Sequence, residues 1–433
     1  MVRTYRRVLI GAALGAVTIT ACSGSGSAKT ARSTTTSTTT ARAGADGTLA
    51  IGQLAPITGP IATIADSFTT PVRLAVDQIN FSGGVNGHPV TLTVADDGSA
   101  SATATAALRN LVDEHHVDAV IGPSTSDLAL QLMDAARRAP VVTCSGSNTY
   151  GPLTQAAARS GMYFRTAPSD VLQSGALASL VVGDGHHRPV VIAAPRDEYT
   201  SPLATATVSA LHARGVQAGA IVTSTPGADP KAVVARALRR NPDSVVVLGF
   251  PAASAPILRA LIDAGKGPAQ LPTYGSDGLQ SGDLAALVDP TNPAVLAGMK
   301  GTTPAGSPAG IDHPFNALLF STGVEPFFSA STYDCTILVA LAAVAARTDD
   351  PHAVSDHFAA NLTGSTNCST FAECQAALQA HKSIHYRGAA SRYDGWRRFE
   401  PGSGAFDVWL FGGNGHPELL PPTFQIPVTG TGP

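Results

Sequence analysis

The stretch AVIGPSTSDLALQLMDAARRAPVVTCSGSNT, residues 119–149, decides how the chain is read. It continues an apolar run, Val117–Ile121, of strand length. Gly122-Pro123-Ser124-Thr125-Ser126 then interrupts the run. Asp127–Arg138 carries apolar residues at helical spacing, and Pro140–Thr143 is apolar again before the turn Ser145-Gly146-Ser147. Strand, turn, amphipathic helix and strand form the repeating unit of a parallel sheet. The same alternation extends toward the N-terminus. Thr48–Ala55 reads as a strand, Phe68–Ile79 as a helix, Val90–Ala95 as a strand and Ala102–Asp113 as a helix. Toward the C-terminus the pattern restarts. Helices are expected at Ser169–Val182, Thr200–Arg214, Lys231–Arg240 and Ala253–Ala264. Strands are expected at Pro189–Ala194, Gln217–Val222, Ser244–Leu248 and Leu271–Tyr274. Two such series predict an α/β protein of two doubly wound parallel-sheet lobes.

The remainder differs. Tyr333–Ala346 is a strongly apolar helix, Phe371–Ala380 a second helix, Phe406–Leu410 a strand, and Pro421–Pro433 trails off. Residues 48–165 with about 300–385 are assigned to the first lobe, and 166–299 with about 386–425 to the second. A chain that crosses repeatedly between lobes makes a hinge with a cleft. Clefts, and the space beyond the carboxyl ends of strands, are favoured binding places.

Composition narrows the function. The chain has 433 residues, only 14% of them charged, and a formal net charge of -3. A nucleic-acid binder needs clustered Lys and Arg, so that class is set aside. At 44% hydrophobic residues the chain is not wholly disordered. HExxH, GxSxG, Walker A and post-strand GxGxxG patterns are missing from the sequence, so binding without catalysis and without a cofactor is expected. His115/His116 and His186/His187 are adjacent pairs beside loop residues, and they read as solvated turn histidines rather than metal ligands.

The N-terminus reads as an export signal over residues 1–21. Arg3, Arg6 and Arg7 precede Val8–Ile19, a run of 12 apolar or small residues. Ile19-Thr20-Ala21-Cys22 resembles a bacterial lipobox, which implies cleavage before Cys22 and lipidation of its thiol. An ordinary signal peptide with an incidental Cys is the plainer alternative. Residues 22–47 are rich in Ser, Thr and Ala and form an expected tether. Removing the signal takes away three Arg and leaves a net charge of -6. Among the remaining cysteines, Cys368 and Cys374 are expected to form a local disulfide in an oxidising compartment. Cys144 and Cys335 either pair or stay as buried thiols.

Several segments together resemble the solute-binding proteins of branched-chain amino-acid ABC transporters, the type I periplasmic binding fold. They are IGQLAPITGP (51–60) with LAVDQINFSGGVNGHPVTLTVADD (74–97), AVIGPSTS (119–126) with PVVTCSGSNT (140–149), FRTAPSD (164–170), TYGSDGL (273–279) and, more weakly, STYDC (331–335). The resemblance covers roughly 48–412. It implies that Ser124, Thr125 and Ser126 receive a ligand carboxylate at a helix N-terminus, where free amides and partial positive charge favour anions. It implies that the turn with Ser145 and Ser147 meets an α-ammonium group, that Asp277 pairs with that ammonium, and that Tyr199 contacts the ligand. Each has a plainer reading: helix capping by Ser126, a Ser/Gly turn, an Asp-Gly turn, a packing Tyr. The sequence departs from the family near Ile64 and at Phe250, where aromatics are usual or only Phe250 substitutes, so the side-chain pocket differs. The implied partners are an amino-acid-like solute, an ABC permease and the membrane through a lipid. The alternative is a sensing or scavenging lipoprotein without a permease, for an amide, urea or aromatic acid.

Overall fold

The computed structural model describes residues 46–194, 199–217, 221–225, 227–306 and 312–429. The expected signal peptide, Cys22 and the tether up to residue 45 lie outside these residues.

Sequence alternation becomes two sheets. The first holds β1 (Ala50–Ala55), β2 (Thr91–Asp96), β3 (Ala119–Ile121), β4 (Val142–Ser145) and β5 (Tyr163–Arg165), all parallel in the order β2-β1-β3-β4-β5. Its crossovers are α1 (Ala65–Phe81), α2 (Ser101–Asp113), α3 (Ser126–Arg138) and α4 (Leu153–Ser160). After α5 (Asp170–Gly183), the second sheet begins. Its strands β6 (Pro189–Ala194), β7 (Ile221–Thr223), β8 (Ser244–Gly249), β9 (Thr273–Gly275) and β10 (Lys300–Pro304) run parallel in the order β7-β6-β8-β9-β10. The crossovers there are α6 (Thr200–His212), α7 (Pro230–Leu238), α8 (Pro251–Asp263) and α9 (Leu284–Val288). Strands β6 and β8 are buried along their whole length. Their unbroken apolar runs are what a sheet covered on both faces requires.

The chain then returns to the first core with α10 (Pro314–Thr322), α11 (Ser329–Ala346), α12 (Pro351–Phe358) and α13 (Phe371–Gln379). A parallel pair, β11 (Thr366–Cys368) and β12 (Ile384–Tyr386), sits with them. By length and composition α11 is apolar enough to cross a membrane, yet it is buried along almost its whole length in the core of the first sheet. A helix apolar on every side is a buried helix. Finally β13 (Ser403–Phe411) adds antiparallel to β10, with β14 (Pro417–Leu419) and β15 (Ile426–Thr429) antiparallel to it.

The outer boundaries differ from the sequence expectation. Lys300–Pro304 belongs to the second sheet, because β10 pairs with both β9 and β13. Tyr386, Ala389, Tyr393 and Phe399 still pack in the first core. Asp334 holds this segment: it accepts hydrogen bonds from the Tyr386 and Tyr393 hydroxyls, both 2.7 Å, and from the amides of Ala389 and Ala390, both 2.8 Å. The chain therefore passes between sheets at 166–169, between Ala305 and His313, and near 400–402. The strand order of each sheet reverses at one point, between β1 and β3 and between β6 and β8. The loops beyond the carboxyl ends of those strands are where ligands collect in open α/β sheets.

Candidate functional site

The residues picked from sequence fall into two groups, both at carboxyl ends of strands. On the first sheet, Gly122–Thr125 leads from β3 into α3. Thr125 takes the cap position in extended conformation and makes no side-chain capping bond. The first amides of α3 therefore lack the usual side-chain acceptor, and Ser126 is the first helical residue rather than the cap. Its hydroxyl accepts from the Tyr150 amide at 3.3 Å, which leaves its own proton free to be donated elsewhere. Ser124 is different. Its hydroxyl and amide both donate to one oxygen of buried Asp97, at 2.6 and 3.0 Å, so both donors are engaged within the loop.

The turn after β4 locks onto this loop. Ser145 is fully buried; its hydroxyl donates to Pro123 O at 3.2 Å and accepts from the amides of Ser147 and Asn148. Ser147 is half-buried and its hydroxyl donates to Ser124 O at 2.8 Å. Between them, a Cβ at Gly146 would run into the backbone of Thr332 in the first turn of α11. Only glycine permits that approach. The disulfide Cys144–Cys335 joins β4 to α11 beside this contact, and Thr166 donates to Ser331 O at 2.7 Å. Cys368 and Cys374 are also disulfide-bonded.

On the second sheet, Asp277 follows β9 in a short 3-10 turn and is 7% exposed. The Tyr199 hydroxyl donates to Asp277 Oδ1 at 3.0 Å and lies 3.0 Å from Ser276 Oγ. The Tyr199 ring packs against Phe250, beyond β8, with centroids 5.1 Å apart. Burial pushes the Asp277 carboxyl up from the ordinary range; Gln173, Tyr199 and the amides of Asp277 and Gly278 oppose the shift by hydrogen bonding to the charged form. Burial, with Asp277 and Asp170 nearby, raises the Tyr199 hydroxyl far above its usual value.

Asp170 joins the two groups, and sequence reasoning missed it. It opens α5 at the first passage between sheets, and its amide donates to Thr149 O at 2.8 Å in the first-sheet loop. The side chain is 1% exposed, and neither carboxyl oxygen has a donor in hydrogen-bonding geometry among the described residues. Burial, and then the charge of Asp277, push its pKa up to about 7; the Thr149 hydroxyl and the Arg165 guanidinium give partial relief. Arg165 itself is occupied. Its Nε donates to Glu400 Oε2 at 2.8 Å, Nη1 to Tyr150 O at 2.8 Å and to Asn148 O at 3.3 Å, and Nη2 to Thr154 Oγ1 at 3.0 Å. The signal for Asp170 was present in FRTAPSD, whose last residue is the acid, but an Asp in a first helical turn also has a sufficient local reason to be there.

Two parallel sheets in the orders β2-β1-β3-β4-β5 and β7-β6-β8-β9-β10, with the chain crossing repeatedly between them, make the two-lobed type I periplasmic binding fold. The chain belongs to the family described as Periplasmic binding protein, which matches residues 48–384. It is 28% identical to the Leu/Ile/Val-binding protein BraC3 of Rhizobium johnstonii over 56% of this chain and 65% of that protein. It is 25% identical to BasB of Halobacterium salinarum, a chemotactic signal transduction system substrate-binding protein, over 82% and 85% of the two chains. The chain thus spans just under two thirds of BraC3's length. Among solved structures, a leucine binding protein from Thermotoga maritima superposes with TM-score 0.68 at 19% identity, covering 88% of this chain and 99% of that one. A solute binding protein from Rhodopseudomonas palustris in complex with p-hydroxybenzoic acid gives 0.65 at 16% identity, covering 88% and 98%. At these identities the likeness speaks for the fold.

Proposed function

We propose that the protein captures a small amino-acid-like solute between its lobes and hands it, unchanged, to an ABC importer, while lipidated Cys22 holds it at the outer face of the cell membrane. The observation that carries this reading is the polarity of the site. Thr125, Ser126 and the first amides of α3 suit a carboxylate; Asp277, hydrogen-bonded by Tyr199, suits an ammonium group. Ser145 and Ser147 hold the turn between them, and Ser124 supports the loop from behind through Asp97. The names of the Leu/Ile/Val-binding relatives support the same class of solute. Micromolar binding corresponds to about -8 kcal/mol. Several charge-assisted hydrogen bonds of roughly 1.5–3 kcal/mol each reach that value.

A thermal-shift screen of the mature chain against the common amino acids, their amides and small organic acids tests it. Stabilisation by L-leucine, L-isoleucine or L-valine supports the reading; stabilisation by organic acids alone overturns it. A second reading has its own support. Phe250 is 45% exposed beside Tyr199, and Ile64 stands near a usual aromatic position, so the side-chain pocket differs from the family pattern. On that reading the protein senses or scavenges an aromatic acid, amide or urea without a permease, and 4-hydroxybenzoate or benzamide is the stabilising compound. Metabolic labelling with an alkyne fatty acid, lost in Cys22→Ala, tests the anchor.

A further inference from the structure

The segment after Leu420 takes no part in the site, yet it lies where the three passages meet. β13 starts at Ser403, directly after the third passage. Its first residues touch the other two. The ring of Pro168, in the first passage, stands where a Cβ on Gly404 would be. The Ala305 amide, at the start of the second passage, donates to Ala405 O at 2.9 Å. The next amide, of Gly306, donates to Asp407 Oδ2 at 3.2 Å. Residues 404–407 are thus a common footing for all three connections between the lobes.

β15 lies along the outer edge of this footing. Thr429, Val428, Pro427 and Ile426 pair with Ser403, Gly404, Ala405 and Phe406, on the edge opposite β10. The register that β10 shares with β13 runs only from Phe406 to Leu410, so without β15 the residues 403–405 would have no partner strand. An unpartnered strand end is pliant. Ile426 and Val428 pack with Leu172, Ala176 and Phe406, and Val428 lies against Gly175 of α5, the helix that follows the first passage. Gln425 Nε2 donates to Asp407 Oδ1 at 2.6 Å, so one carboxylate ties this segment to the second passage. Pro427 is tolerated because β15 is itself an edge strand. The family match ends at residue 384, before this segment.

We infer that Gln425–Thr429 is a brace on the hinge. It stiffens the second-lobe footing of all three passages, so that the lobes of the empty protein pivot within a narrower range than the passages alone permit. Bending is then confined to the first-lobe side of residues 404–407. A narrow resting range leaves less conformational freedom to lose when the lobes close, so the brace acts alike on every solute. The inference concerns the empty protein and stands whichever solute binds.

The experiment uses the mature chain carrying Cys22→Ala and one spin label on each lobe, at the exposed positions Arg109→Cys on α2 and Lys266→Cys after α8. The four remaining cysteines are held in disulfides and take no label. Pulsed electron resonance without ligand reads the distribution of distances between the lobes. A chain ending at Pro421 keeps β14 and lacks the brace, and its distribution is expected to be wider than that of the full chain. Hydrogen exchange at β6 and β8 is expected to stay as slow as in the full chain. Gln425→Ala keeps the pairing of β15 and loses only the tie to Asp407, so it is expected to widen the distribution less. An unchanged width in the truncated chain overturns the inference; should that chain fail to fold, an unchanged width in Gln425→Ala overturns it instead. Widening that comes with faster exchange at β6 and β8 also overturns it, because the second lobe itself would then have loosened rather than the hinge.

Discussion

Asp277 and Asp170 are both buried acids, yet they are held differently. Asp277 has donors for its charged form, so its removal is felt mainly by the ligand. Asp277→Ala is expected to weaken L-leucine by about 3–5 kcal/mol, because the ammonium group is left buried without its counter-charge; calorimetry at pH 8 measures this, and unchanged affinity removes Asp277 from the site. Asp170 has only the partial relief of the Thr149 hydroxyl and the Arg165 guanidinium, so its removal is felt by the empty protein. Its folded pKa, about 7, lies above the unfolded carboxylate value of 3.8. Between those values the folded state binds more protons than the unfolded state, so stability falls as pH rises through that window and the loss is complete above the folded value. Asp170→Asn should therefore match the wild type near pH 3.5 and be more stable by on the order of 4 kcal/mol at pH 8. Urea denaturation at the two pH values reads the difference; an equal gain at both would show that charge is not the cause. Of these residues the place of Asp277, just past an apolar strand, was legible in GSDG, and its proposed role came from the family resemblance. The bond of the Ser124 hydroxyl to Asp97 was not legible: the two are 27 residues apart, and only the pairing of β1 with β2 and β3 brings them together.

Elements were legible where the hydrophobic period was long and pure. The helices α1, α2, α3, α8 and α11 and the strands β1, β6 and β8 match their apolar runs to within a few residues. Of the shorter strands, β3, β4, β7 and β9 overlap expected apolar runs, while others were not legible. Tyr163–Arg165 has only three residues and reads as the tail of a resemblance motif, and Lys300–Pro304 is carried by Thr and Gly. There, Gly301 allows the Trp409 ring of β13 to approach the β10 backbone, a contact that any Cβ would block. Residues 426–429, expected to trail off, instead pair with β13 under α5, where Val428 meets Gly175 and Leu172 packs with Phe406. Polar and proline residues alternate with Ile426 and Val428, so no apolar run announces the strand. The two disulfides also act on elements of different reach. Cys144–Cys335 closes 191 residues and fixes the turn of Ser145–Ser147 against α11, whereas Cys368–Cys374 closes 6 within a local motif. Loop-closure entropy alone makes the first worth about 2–3 kcal/mol more than the second. Urea midpoints of Cys144→Ala/Cys335→Ala and Cys368→Ala/Cys374→Ala should differ in that direction; equal midpoints would mean that the long-range bridge adds no constraint beyond the packing of α11.

At the scale of the molecule, the architecture was legible because two β-α series can hardly be joined in one sheet of this length, while the passages between them were placed only approximately. The reason is that a passage has no period of its own. The structure identifies what holds the passages: Arg165, at the first, is ion-paired to Glu400, at the third, and Gln173 of α5 donates to Thr302 O of β10 at 3.0 Å, just before the second. The first tie joins two passages to each other, and the second fixes α5 to the second sheet. If, as proposed, a ligand with charge at both ends is held by α3 on one side and by Asp277 on the other, it has differential affinity for the state in which both sides reach it, and that difference would shift the population toward closure. Small-angle scattering of the mature chain should then give a smaller radius of gyration with saturating L-leucine than without. Asp277→Ala supplies the control within the same measurement: at a leucine concentration that saturates its remaining affinity, the first-lobe contacts persist but the second lobe has lost its hold, so contraction should be absent or reduced. Equal contraction in both proteins would place the closing contact elsewhere on the second lobe, with Tyr199 and Phe250 the next residues to test. No contraction in either, with binding demonstrated by calorimetry, would mean that the ligand enters a cleft already set at its final width.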